Sequence, residues 1–189
     1  MWEKELLRTK LREWLKEKRY LHSLGVEETA VKLARRYGLD EEQAAVAALL
    51  HDWGRGLEND LLLKKAKEFD IVVEGIEEKA PHLLHGPVGA KLVELELGIN
   101  DPAILQAIAL HTTGAGKMSL LDKVIYLADY VEPGRMFSGV EQIRKVAFLD
   151  LERALLMAAE NSLYHLLRKK ALIHYKTVEL RNALLIGQG

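Results

Sequence analysis

Ala44-Ala45-Val46-Ala47-Ala48-Leu49-Leu50-His51-Asp52 is the stretch on which the reading of this chain turns. Ala, Val and Leu fill every position from 44 to 50, so a helix here is apolar all round. Such a helix belongs at the centre of an all-helical domain. Its start is marked by Asp40 as N-cap, with Gln43 three residues on completing a capping box. It ends on an imidazole and a carboxylate. Burying both costs several kcal/mol unless something pairs them. A divalent cation is one such partner and a hydrogen-bond network is another; the dipeptide alone does not choose.

Upstream, residues 3–18 read as an amphipathic helix with Leu7, Leu11, Trp14 and Leu15 on one stripe. Arg19 to Ser23 breaks it, with Ser23 as N-cap of a second helix. That helix shows Val26, Ala30, Leu33, Ala34 and Tyr37 at helical spacing and stops at Gly38. His22 thus falls just before a helix start. Downstream, Trp53-Gly54-Arg55-Gly56 reads as a flexible exit. The 57–80 region is mixed, with a short helix through Leu61–Phe69 and then the β-like Ile71-Val72-Val73, so irregular or short helical structure is expected there. Pro87 opens a helix that runs to Gly98, placing His85 immediately ahead of it; His82 reads as surface or as support for a ligand.

Asn100-Asp101-Pro102 starts an apolar helix that ends at His111, followed by Thr112-Thr113-Gly114. Ser119 and Asp122 form a capping box for the next helix, which carries Asp129 between buried positions and ends at Pro133-Gly134. A carboxylate on such a helix needs a partner. Beyond Arg135 the chain reads as structural: Asp150 caps a long helix over 151–170, and a last helix lies near 175–185. His165 and His174 read as surface or satisfied core. With strand signals nearly absent and no linker or repeat, the expectation is all-α: one helical-bundle domain spanning residues 1–189.

Composition narrows the function. The chain has 189 residues, 49% of them hydrophobic, enough for a sizeable core. Its 27 basic and 28 acidic residues give a net charge of −1 with no basic block, which argues against a nucleic-acid phosphate track. A small anionic substrate is still compatible, because a pocket can be positive in a neutral protein. There is no cysteine, hence no zinc–thiolate site. No apolar run is long enough to span a membrane and no leader is evident, so a cytoplasmic protein is expected.

His22, His51-Asp52, His85, His111 and Asp129 stand 29, 34, 26 and 18 residues apart (22 to 51, 51 to 85, 85 to 111, 111 to 129). Each lies at a helix end or on an apolar helix. The order H…HD…H…H…D resembles that of the HD-domain metal-dependent phosphohydrolases. Five flanking stretches are similar to one bacterial branch, the YqeK family: Arg19-x-x-His22-Ser23-x-Gly25-Val26, Leu49-Leu50-His51-Asp52, Leu84-His85-Gly86-Pro87-Val88-Gly89-Ala90, His111-Thr112-Thr113-Gly114 and Ala128-Asp129-x-x-Glu132-Pro133-x-Arg135. The resemblance covers roughly residues 19–140.

It implies an HD-type bundle and hydrolysis of diadenosine tetraphosphate to two ADP at a two-iron site, with a hydroxide shared between the metals. In that reading Asp52 bridges the metals and is the catalytic carboxylate. His22, His51 and Asp129 complete one site, and His85 and His111 the other. Imidazole and carboxylate donors also suit Mn, Co or Zn. Arg19, Arg55 and Arg135 are candidate phosphate clamps, a solvated surface arginine being the alternative at each. Thr112 and Gly114 are candidates for placing a hydroxyl and backbone N–H groups against phosphate oxygens, a plain turn being the alternative. The chain departs from the branch at Arg55, where a Lys is usual; a planar fork replaces a point donor. The family's members often pair, which leaves a homodimer open. Two other functions stay in view: another HD-type nucleotide phosphohydrolase, and a catalytically silent nucleotide sensor.

Overall fold

The apolar run forms helix α3, Glu41–Leu50, and every residue from Ala44 to Leu50 is 0% exposed. A computed structural model describes residues 2–187; Met1, Gln188 and Gly189 of the expected 1–189 span lie outside the described residues. Asp40 caps α3 by accepting the Gln43 N–H at 2.9 Å. The capping box is only half made, because the Gln43 side chain turns instead to Asp101 Oδ2 at 3.0 Å. That bond ties the start of α3 to the start of α7, Pro102–Leu110.

Around α3 sit α2 (Glu17–Tyr37), α7 and α8 (Leu120–Val131). Helix α6 (His85–Leu97) packs on α7 and on a 3₁₀ turn, Trp53–Gly56. Helix α1 (Lys4–Trp14) lies against α2 and α3. Short helices α4 (Asn59–Glu68) and α5 (Gly75–Lys79) bridge from the turn to α6. Helices α9 (Val140–Ala147), α10 (Leu151–Arg168) and α11 (Tyr175–Ile186) close the bundle over α8. One hydrophobic core runs through all of it, from Leu7 to Leu184. No strand occurs among the described residues, and none of their helices is long and apolar enough to cross a membrane.

Three local expectations are corrected. The first helix ends at Trp14, and α2 begins at Glu17 rather than after Ser23, so His22 and Ser23 lie within a helix. The break is the extended, buried Leu15, whose neighbour Lys16 caps nothing with its side chain; such a stop leaves no capping signature to read. Next, the exit after Asp52 is not loose. Trp53 and Gly54 are buried, Trp14 Nε1 donates to Trp53 O at 2.7 Å, and the two indoles stack with centroids 5.6 Å apart. Finally, the segment beyond Arg135 is more than structural, because α10 and the residues following it form the wall of a cleft. It also contains α9, which lay unread in the sequence.

Candidate metal centre

Each site histidine is held by its Nδ1. His51 and His111 follow the last turns of α3 and α7, where carbonyls lack intrahelical partners. The His51 Nδ1–H donates to Ala48 O at 2.6 Å and that of His111 to Ile108 O at 2.7 Å. His85 follows a 3₁₀ segment, Pro81–Leu84, and donates in the same way to His82 O at 2.5 Å. Position at a helix end thus fixes the tautomer: the carbonyl takes the Nδ1 proton, and Nε2 is left as a lone pair facing inward. His22 stands inside α2, where the backbone carbonyls are already used. Its Nδ1 instead meets Glu132 Oε1, at 3.1 Å.

The Nε2 atoms converge on two carboxylates. Asp52 Oδ1 lies 3.2 Å from His85 Nε2 and 3.7 Å from His111 Nε2, and Oδ2 lies 3.7 Å from His51 Nε2. Asp129 Oδ1 lies 2.9 Å from His22 Nε2 and 3.9 Å from His51 Nε2. The donor atoms form two compact groups, His22/His51/Asp129 and His51/Asp52/His111. His51 Nε2 therefore lies within reach of both groups. His85 joins the second through Asp52 and through His111, their Nε2 atoms being 2.9 Å apart.

That geometry fits a cation. His85 and His111 aim two lone pairs at each other across 2.9 Å, and the buried Nε2 of His51 has no hydrogen-bond partner. A buried acceptor without a donor is costly; a positive charge among these atoms removes the conflict. Two of the rings, His51 and His85, are also in the right protonation state. Burial, reinforced by the neighbouring His111, pushes His51 down to about 4, and burial pushes His85 down to about 4. Both are neutral ligands at pH 7. Burial alone would raise the two acids. The surrounding imidazoles hold Asp52 well below the usual carboxylate range, and the His22 hydrogen bond with the charges nearby does the same for Asp129.

The three arginines ring this centre. Arg19 Nη1 donates to Asp52 Oδ2 at 2.8 Å. Arg55 Nε lies 3.4 Å from Asp52 Oδ1 and is buried without a hydrogen bond. Arg135 pairs with the Asp129 carboxylate and donates Nε–H to the Asp129 carbonyl at 2.8 Å. Thr112 Oγ1 sits 3.0 Å from the Nε2 of both His85 and His111. Gly114 is the exception. Its N–H is taken by Leu110 O at 2.8 Å, and a Cβ on it would strike Leu180 Cδ2 at 2.5 Å. It closes the turn and lets α11 approach, and it offers no donor to a phosphate.

Beside the centre opens a cleft of about 970 Å³ that Thr112 and Arg135 also line. Tyr130 and Phe137, packed edge to face, and Tyr164 supply aromatic surface, with Lys79, Arg168 and Lys169 among the lining residues. Asn161 Nδ2 donates to the Tyr130 hydroxyl at 2.8 Å. Sequence reading missed these residues, because single aromatic, amide and basic side chains scattered over α5, α8, α10 and the loops between them carry no motif. It also left Glu132 without a role, although that residue stands inside the Asp129-x-x-Glu132 stretch. Outside the centre, His174 is satisfied core: its Nε2 meets Glu77 Oε1 at 2.8 Å, and its Nδ1 caps α11.

Fold and site together define an all-helical protein with a histidine–aspartate metal-type centre beside a basic, aromatic cleft. The chain belongs to the HD domain family, whose model matches residues 19–134. Membership implies that the His/Asp cluster binds divalent metal. Over 178 residues the chain is 43% identical to a symmetrical bis(5'-nucleosyl)-tetraphosphatase of Halalkalibacterium halodurans, with 92% of each chain covered. It is 39% identical over 177 residues to the protein of that name from Bacillus subtilis, covering 94% of this chain and 95% of the other. The crystal structure of a predicted HD superfamily hydrolase involved in NAD metabolism, from Clostridium acetobutylicum, superposes with a TM-score of 0.95 at 41% identity and full coverage of both chains.

Proposed function

We propose that this chain hydrolyses diadenosine tetraphosphate at the centre of its phosphate chain, adding one water and releasing two ADP. The observation that carries this reading is the convergence of four imidazole Nε2 atoms on Asp52 and Asp129 beside a cleft sized for a nucleotide. The names borne by the relatives from Halalkalibacterium halodurans and Bacillus subtilis support the substrate. Two divalent cations would suit these donors: His22, His51 and Asp129 would hold one, His85 and His111 the other, and Asp52 would contribute a carboxylate oxygen to each. Iron follows from the family resemblance, while the donor set also accepts Mn, Co or Zn. Bound there, the cations supply Lewis acidity to the phosphoryl oxygens and bring the pKa of water toward neutrality.

The chain's own residues supply the rest. Arg19, Arg55 and Arg135 put three forked cations around the carboxylates, where a polyphosphate must lie to react. Thr112 offers a hydroxyl at the boundary between centre and cleft. The faces of Tyr130, Phe137 and Tyr164 suit a nucleobase, and Lys79, Arg168 and Lys169 raise the local concentration of anions at the mouth. Burial of His51, Asp52 and His85 keeps bulk water from screening the centre.

The test is product identification. Protein loaded with Fe(II) or Mn(II) is incubated with a panel of dinucleoside polyphosphates and mononucleotides, and the products are separated by anion exchange. ADP as the sole product from diadenosine tetraphosphate is expected. ATP plus AMP, or turnover confined to mononucleotides, would overturn the assignment.

A further inference from the structure

We propose that Glu132 is a positioning residue for His22, and that His22-x-x-Gly25 and Glu132-x-Gly134 are two halves of one device that completes the first donor group. The inference rests on the metal reading above. Three of the four site imidazoles are oriented by a carbonyl three residues earlier in their own segment. His22 has none, because it lies in the second turn of α2. Its ring depends on an acceptor from elsewhere, and the acceptor comes from the C-cap of α8, 110 residues away.

Glu132 is built for that task. It is only 5% exposed. Oε1 takes the His22 Nδ1–H at 3.1 Å, and Oε2 takes the Gly134 N–H. Its backbone carbonyl accepts from Arg144 Nη2 and from the Arg135 N–H, both at 2.9 Å. Arg144 also donates to Val131 O at 2.7 Å, so one half-buried guanidinium clamps the end of α8 from α9. The carboxylate occupies space that two glycines leave open. A Cβ on Gly25 would lie 2.7 Å from Oε2, and a Cβ on Gly134 would lie 3.0 Å from both oxygens. Gly25 stands three residues after His22, hence on the same face of α2. The two short motifs, distant in sequence, fit each other.

With Nδ1–H held, the His22 ring presents Nε2 to Asp129 and His51. Carboxylate support of a metal-ligating imidazole is typically worth 10- to 100-fold in metal affinity. Because Glu132 touches His22 and none of the second group, its loss should act on one cation and spare the other.

The experiment titrates chelator-stripped protein with Mn(II) by calorimetry. Wild type should bind two equivalents. Glu132→Ala should weaken one equivalent by about 10- to 100-fold and leave the other unchanged. Glu132→Gln retains a carbonyl acceptor for His22 and should fall between the two. Gly25→Ala keeps the carboxylate but displaces it, and should weaken the same equivalent; it serves in place of Glu132→Ala if that variant does not fold, as judged by circular dichroism. Full affinity for both equivalents in folded Glu132→Gln and Gly25→Ala would remove the role from Glu132 while leaving the metal centre standing. Failure of wild type to bind Mn(II) would remove both.

Discussion

Gly54 tests whether the exit from Asp52 is a rigid part of the site. The residue sits in the 3₁₀ turn after Asp52, against the first turn of α6. A Cβ placed there would lie 2.2 Å from the backbone oxygen of His85 and 2.9 Å from its Cα and carbonyl carbon, and real Cβ contacts essentially never fall below 3.0 Å. In Gly54→Ala the turn and α6 must therefore separate by about 0.8 Å or more, with backbone on both sides and no flexible side chain to yield. Overpacking of this kind typically costs 1–3 kcal/mol. For a chain of this size, about 3 kcal/mol corresponds to a fall in Tm of roughly 6–12 °C. The displaced atoms belong to His85 and to the segment next to Asp52, whose Nε2 and Oδ1 are 3.2 Å apart. Metal retention should suffer along with stability. The assay is thermal unfolding with and without Mn(II), together with metal content after gel filtration. Gly75→Ala is the control, since nothing lies within 4 Å of its added Cβ. A Gly54→Ala variant with wild-type Tm, metal content and turnover would refute the reasoning and return Trp53–Gly56 to a pliable loop.

The other predictions concern the centre directly. His51→Ala or Asp52→Ala should abolish hydrolysis and lower bound metal, read by elemental analysis and ADP release; full activity in either would remove the proposal. Arg135→Ala should raise the apparent KM without lowering metal affinity, because its partner Asp129 is freed for the cation; lost metal with an unchanged KM would take Arg135 out of the substrate site. Dialysis against a chelator should inactivate the enzyme, with Fe(II) or Mn(II) restoring turnover. The metal-free protein should lose stability between about pH 6.5 and 4. There His51 and His85, depressed from 6.5 to about 4, stay neutral when folded but take up protons when unfolded. The loss is at most roughly 3 kcal/mol apiece. Asp52 and Asp129 are also depressed, and their contribution is lost only below about pH 4. A flat urea midpoint across that window would contradict the assigned burial.

Much of the centre is legible without coordinates because His51-Asp52, His85 and His111 mark helix ends. The Ala44–Leu50 run has one physical solution, a buried helix, and whatever follows it is delivered to the interior. Asp101-Pro102 and the Ser119/Asp122 box fix α7 and α8 by local hydrogen bonds, both of which form. Where local chemistry is silent, the reading fails. Ser23 resembles an N-cap but is buried mid-helix, since the preference of serine for caps yields to tertiary packing. Trp53-Gly54-Arg55-Gly56 looks loose because glycine signals freedom, yet here it signals close approach.

Sequence by itself determined most of the helices and the central buried run, because each depends on neighbours within one or two turns, and it supplied the six candidate metal-binding residues through their order along the chain. Only the tertiary structure decided that His51 lies within reach of two donor groups, that Glu132 holds His22, that Gly114 offers no donor, and that α10 walls the cleft. Those facts are distances between segments up to 110 residues apart, and no periodicity along a chain encodes a distance across it.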